Sequence, residues 1–184
     1  MKTELQKMLA GELYEAWDEE LTLMRARARV LMQEYNQLTT APRETRTAVL
    51  KQLLGQCAEI NIEPPFYCDY GAHIFVGDNF FMNFNCVILD CARVTIGDNV
   101  QIGPSVQIYT AYHPIRASER IKGPELAAPI IIGDNVWIGG GAILCPGITI
   151  GKNTTIGAGS VVTRDIPDHV FAAGNPCRVV RTIE

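Results

Sequence analysis

Residues 130–162 read IIIGDNVWIGGGAILCPGITIGKNTTIGAGSVV. An aliphatic side chain returns every six positions, at Ile132, Ile138, Leu144, Ile150, Ile156 and Val162. The position two earlier repeats as Ile130, Val136, Ala142, Ile148, Thr154 and Ser160. A period of six fits neither the 3.6 of an α-helix nor a hairpin; it is the signature of a parallel β-helix. After the aliphatics come Gly133, Gly139, Cys145, Gly151, Gly157 and Thr163. Two steps carry glycine and the third does not, so three hexapeptides close one coil. The expected body is a triangular prism with three short strands per coil. A lone coil cannot bury its inner face, whereas stacked coils make one continuous core.

The register continues upstream through Tyr70, Val76, Met82 and Ile88, then Ile96, Ile102 and Ile108. The step from Ile88 to Ile96 is eight, which places two extra residues near Asp90 to Val94. Gly77-Asp78-Asn79, Gly97-Asp98-Asn99 and Gly133-Asp134-Asn135 supply the residue types that tight corners need.

A chain of 184 residues suits one domain with an appendage, and a formal net charge of −4 leaves no broad basic face for nucleic acid. Nothing resembles a signal peptide or a membrane span. The six cysteines form no Cys-x-x-Cys pair, and Cys68, Cys86 and Cys145 occupy repeat positions that take small apolar residues. They read as reduced packing residues of a cytoplasmic protein.

Residues 1 to about 55 are charged, poor in glycine and helical in pattern, and the β-helix is expected over 56–184. Thr3 and Gln6 suggest a capping box, and Asp18 a cap for a helix burying Leu21, Met24, Ala28, Leu31, Tyr35 and Leu38. Pro42 opens a third helix that Gly55 stops. Arg25, Arg27 and Arg29 read as a solvated helix face, and Glu63-Pro64-Pro65 as a linker into the first coil. The rhythm breaks over 109–129. A continuous helix there would place Arg120 inside without a partner, so this segment is expected as an extruded, functional loop. A tail over 165–184 leaves the repeat at Asp165-Ile166-Pro167.

His113, on the loop, is the side chain suited to accept a proton near neutral pH, or else a loop histidine bonded to backbone. His73 is expected to point outward from its coil, and His169 lies in the tail. These histidines are far apart in the chain and lack ligand spacing, so no metal site is expected. Asn83, at a corner where other steps have glycine, either satisfies a turn or steadies an oxyanion. Asp90, beside the insertion, is a turn residue or a hydrogen-bond partner for substrate. Trp137 faces away from the core positions, toward a neighbouring chain or a ligand. Lys152, Arg164, Arg178 and Arg181 gather near the C-terminus, as surface charge or a phosphate-holding set.

Several stretches taken together resemble one family. They are Ala10-Gly11-Glu12-Leu13-Tyr14, Ile62-Glu63-Pro64-Pro65-Phe66, Cys68-Asp69-Tyr70-Gly71, Asn79-Phe80-Phe81-Met82-Asn83-Phe84, Tyr109-Thr110-Ala111-Tyr112-His113-Pro114, Asn135-Val136-Trp137-Ile138-Gly139-Gly140 and Gly174-Asn175-Pro176-Cys177-Arg178. The sequence is similar to the hexapeptide-repeat sugar O-acetyltransferases, the maltose and galactoside enzymes among them. The resemblance implies a left-handed helix, against the usual crossover preference. It implies a homotrimer with sites between chains, acetyl-CoA as donor and His113 as general base. Asn83 and the Gly140 N–H would then stabilise the transition state. Trp137, Ala158, Thr163, Arg164, Arg178 and Arg181 would line the coenzyme, and Asp69, Asp90 and Cys91 the sugar.

Two departures bear on the acceptor. Ala16 and Cys91 stand where the galactoside enzyme has sugar-side aspartates, although Asp90 is adjacent to Cys91. These departures speak against a galactoside preference and leave the hydroxyl acceptor open, and the resemblance as a whole implies a sugar such as maltose or glucose. The competing readings are a xenobiotic acetyltransferase on the same prism and a non-catalytic β-helical scaffold. The helical segment 1–55 favours the sugar enzyme.

Overall fold

The computed structural model describes residues 1–57 and 60–184. Its body is a left-handed parallel β-helix of about six turns. The first face stacks Ile60–Ile62, Phe80–Met82, Gln101–Ile102, Trp137–Ile138, Thr155–Ile156 and Val170–Ala173 in parallel, and closes with the antiparallel strand Arg178–Thr182. The second holds Phe66–Cys68, Cys86–Leu89, Gln107–Tyr109, Ile143–Leu144 and Val161–Val162; the third holds Ile74–Val76, Val94–Ile96, Ile130–Ile132 and Thr149–Ile150. Ile132 pairs with Ile150, Ile138 with Ile156 and Leu144 with Val162, each three hexapeptides further along the chain. These side chains alternate with exposed neighbours along strands of two or three residues, so like stacks on like in a single apolar column.

The first two coils are longer. Ile62 pairs with Met82 and Cys68 with Ile88, so each of these steps is longer by two than three hexapeptides. The inward residue of the first coil on the second face is therefore Cys68, and Tyr70, expected in register, sits past the strand end. Glu63-Pro64-Pro65 is likewise a corner within the first coil, because Ile60–Ile62 already pairs with the next turn. The extra residues of both coils fall on one edge, between the second and third faces. The segment 110–129 leaves the prism on that same edge. All the irregularities of the repeat are thus stacked at one place.

The edge between the third and first faces is regular. Asn79, Asn99, Asn135 and Asn153 adopt positive φ, and their amides bond in sequence at 2.9, 3.0 and 2.8 Å before the last meets His169 Nε2 at 3.2 Å. Glycine precedes them for a steric reason: a Cβ on Gly97 would lie 2.1 Å from Asp134 Oδ1, the atom that accepts the Asp98 N–H at 2.9 Å.

Helix α1 (Glu4–Leu9) carries the capping box of Thr3 and Gln6; α2 (Glu19–Gln37) is capped by Asp18. Leu21, Ala28, Met32 and Tyr35 of α2 are buried, and the Tyr35 hydroxyl donates to Ile62 O. Helix α3 (Arg43–Leu53) buries Val49, Leu50 and Leu53. Together they cover the open end of the first coil, which would otherwise expose its apolar column.

Candidate functional site

Three turns of chain, each lengthened at the same edge, build one pocket of about 310 Å³. Asp69 and Tyr70 come from the first coil, Leu89 and Cys91 from the second, and Ala111, His113 and Glu125 from the extruded segment. Ala16, Trp17, Thr22, Arg25 and Arg29 close it from the helical segment. A second apolar cluster, formed by Met8, Tyr14, Leu21, Tyr70, Cys91, Ala92 and Ala127, supports the floor separately from the prism core.

The segment 109–129 has structure of its own. Ala111–Tyr112 pairs antiparallel with Leu126–Ala127, and a short helix, α4 (Ala117–Arg120), turns the chain between them. Glu125 and Tyr14 exchange backbone hydrogen bonds at 3.1 and 3.0 Å, and the Tyr14 hydroxyl donates to Glu125 Oε2 at 2.9 Å. The other carboxylate oxygen, Oε1, lies 4.0 Å from His113 Nε2. His113 is half-exposed at the pocket wall, with its ring open to an incoming ligand.

Asp69 is half-buried, and its carboxyl is pushed above the usual range by burial and by the nearby Asp90. The Cys91 thiol, raised mainly by burial, donates toward Asp69 Oδ2 at 3.6 Å. Asp90 does not line the pocket. It is fully buried; Oδ1 accepts the Asp69 and Tyr70 N–H groups at 3.1 and 2.9 Å, and Oδ2 accepts the His73 N–H at 3.2 Å. Its carboxylate organises the corner and is closed to a substrate. Burial raises its affinity for a proton, against those N–H donors. His73 is also buried rather than outward-pointing, with Nδ1 donating to Asp90 O at 2.7 Å.

Arg25, expected in solvent, belongs to the pocket. Its guanidinium donates to Tyr70 Oη at 2.7 Å and Ala16 O at 2.6 Å, beside the rings of Trp17 and Tyr70. Sequence reasoning does not single out Arg25, Glu125 or Tyr14. Their partners are distant in the chain, and no local spacing marks them.

The remaining expected residues lie elsewhere on the chain. Asn83, Gly140 and Ala158 descend the edge between the first and second faces. The Asn83 N–H donates to Ile102 O, Gly103 lies against the Gly140 backbone, and the Gly159 N–H donates to Gly140 O. Asn83 Oδ1 accepts the Phe84 N–H at 2.8 Å. Among the described residues the Gly140 N–H has no acceptor, although Gly139 and Gly141 both do. Trp137 is 56 % exposed on the first face, continuous with exposed Arg178 and Arg181 on its last strand. Thr163 and Arg164 are exposed on the His113 side. A whole face therefore separates His113 from Asn83 and Gly140 within one chain, roughly 10 Å for a three-residue strand.

Comparison with known proteins joins these observations. Residues 7–58 match the maltose acetyltransferase hexapeptide capping motif, and residues 129–164 match the bacterial transferase hexapeptide family. The galactoside O-acetyltransferase of Escherichia coli is 44 % identical over 97 % of this chain and 88 % of its own. The chain belongs to the hexapeptide-repeat sugar O-acetyltransferases. A maltose O-acetyltransferase from Clostridium difficile superposes on this acetyltransferase with a TM-score of 0.98 at 52 % identity, covering 100 % and 98 % of the two chains. A hexapeptide-repeat acetyltransferase from Vibrio cholerae, complexed with acetyl coenzyme A, superposes at 0.92 with 38 % identity over the whole of both chains. This acetyltransferase is an acyl-transferring enzyme, and its helices α2 and α3 lie within the stretch that matches the capping motif.

Proposed function

We propose that this enzyme transfers the acetyl group of acetyl-CoA to a hydroxyl of a sugar acceptor such as maltose or glucose, with His113 as general base. The observation that carries the reading is the pocket itself: a half-exposed imidazole faces a small cavity of mixed polarity whose wall includes Asp69 and Arg25. Such a cavity suits a hydroxyl-rich ring that needs convergent donors and acceptors. His113 takes the hydroxyl proton as the oxygen attacks the thioester carbon, and the collapsing tetrahedral intermediate expels the coenzyme thiolate. Glu125, tied to Tyr14, stands with Oε1 4.0 Å from His113 Nε2. The uncommitted N–H of Gly140 and the Asn83 amide are oriented donors for the oxyanion.

These donors and His113 occupy different edges of one prism, so the reading requires neighbouring copies. In a homotrimer the edge bearing Asn83, Gly140 and Ala158 of one chain meets the His113 segment of the next. Trp137, Thr163, Arg164, Arg178 and Arg181 then flank the coenzyme. Among the described residues no His, Cys, Asp or Glu cluster is arranged to hold a metal ion, and the mechanism uses none. Among the described residues no helix is long and apolar enough to cross a membrane; the reading of a cytoplasmic site of action rests on the six cysteines, which are free.

The test is coenzyme release from acetyl-CoA with glucose, maltose, galactosides and chloramphenicol as acceptors. Turnover on the glucosyl acceptors, lowered about 10²- to 10⁴-fold by His113→Ala with coenzyme binding retained, is expected. Preference for chloramphenicol, or a fully active His113→Ala enzyme, would refute it.

A further inference from the structure

The pocket has a feature that holding a single ring does not require. Trp17 lines it, yet is 84 % exposed, and among the described residues its indole N–H has no acceptor. Large aromatic side chains left in water are unusual when they fill no core, and a concave site is where one finds use. Trp17 also stands beside a fixed neighbour. Arg25 lies 5.8 Å from its ring centre, and that guanidinium is fixed by Tyr70 Oη, by Thr22 Oγ1 at 3.2 Å and by the carbonyl of Ala16, the preceding residue. The cavity, about 310 Å³, is at the lower end of the roughly 300–1,000 Å³ span of small-molecule sites. It has room for one sugar ring beside His113; anything attached to that ring must leave through the mouth, past Trp17.

The geometry points to Trp17 as a specificity-determining residue: its indole is the platform on which the second ring of a disaccharide or glycoside acceptor stacks through its C–H face. This rests on the sugar-acceptor reading above. The apolar face of the outer ring covers the indole, while its hydroxyls reach water, the indole N–H and the Arg29 head group at the pocket wall. The contact is made equally in the ground state and the transition state, so it lowers KM without altering kcat.

The experiment compares glucose with maltose for the wild-type enzyme, Trp17→Ala and Trp17→Phe. Trp17→Ala is expected to raise the KM for maltose about three- to tenfold, the scale of one aromatic stacking contact, while kcat and the KM for glucose stay within about twofold. Trp17→Phe should recover most of the loss. Equal effects on both sugars, or none, overturn the inference and leave the sugar reading standing. Wild-type enzyme that acetylates neither sugar overturns both. A second readout follows the wild-type enzyme's own fluorescence, in which Trp17 and Trp137 are the two tryptophans and the Trp17 share is the part that Trp17→Phe removes. Maltose should change it saturably and glucose should not; silence toward maltose in an enzyme that acetylates it sinks the inference.

Discussion

Thr149 and Ile150 are neighbours on one two-residue strand, and the prism puts them on opposite sides of its wall. Ile150 is fully buried, in register with Ile132 and bridged to Ile166, while Thr149 is exposed. Ile150→Ala removes three carbons from a closed column. At about 0.8 kcal/mol for each buried methylene-sized group the transfer loss is roughly 2.4 kcal/mol. The wall is hydrogen-bonded above and below and relaxes little, so a cavity contribution brings the expected cost to about 3–4 kcal/mol. Thr149→Ala removes a hydroxyl and a methyl that face solvent, and should cost under about 1 kcal/mol. Urea unfolding with a common slope measures both. Coils touch only adjacent coils, so hydrogen exchange in Ile150→Ala should rise first toward the C-terminal end, before α2. Costs equal within about 0.5 kcal/mol would refute the assignment of inward and outward positions on which the whole fold rests.

Three further outcomes are expected. Asn83→Ala should lower kcat about 10²-fold, and a change confined to KM would argue against an oxyanion role. Asp69→Asn should raise the melting temperature at neutral pH. The folded Asp69 carboxyl holds its proton more tightly than the ordinary value of 3.8, so its contribution to stability is present below that value and lost as pH rises through the higher folded one. The advantage of asparagine, seen in melts across pH, should therefore vanish on acidification; a gain that persists at low pH would need another cause. Tyr14→Phe removes the hydroxyl that holds Glu125, and should lower kcat several-fold with coenzyme affinity intact, read by single-turnover kinetics.

The prism was legible because its signal is local and repeated. Every sixth residue must be small enough and apolar enough for one column, so the pattern survives without knowledge of any contact. The same locality explains the misplacement of Tyr70. It lies six before Val76, as a core residue would, but the first coil has two extra residues and Cys68 takes the inward place. His113 could be singled out because it interrupts the rhythm on a segment that cannot be threaded inside. Asp90 and His73 defy a sequence reading because what occupies them is backbone N–H and C=O from the adjacent turn, which carries no sequence identity. Arg25 looks like one charge among three on a helix. Only the docking of α2 against the first coil gives Arg25 the Tyr70 hydroxyl as a partner and brings Arg29 to the same pocket, while Arg27 reaches Gln52 O.

Because Glu125 is fastened to Tyr14 by two backbone bonds and a hydroxyl, the hairpin that carries His113 is not a portable module. Grafting 109–129 onto another hexapeptide prism would carry over the imidazole and leave behind what aims it. Swapping acceptor preference between relatives therefore calls for exchanging distant pieces together: the opening helical stretch, the protruding hairpin, and the two coil corners that bring Asp69 and Cys91 to the same pocket.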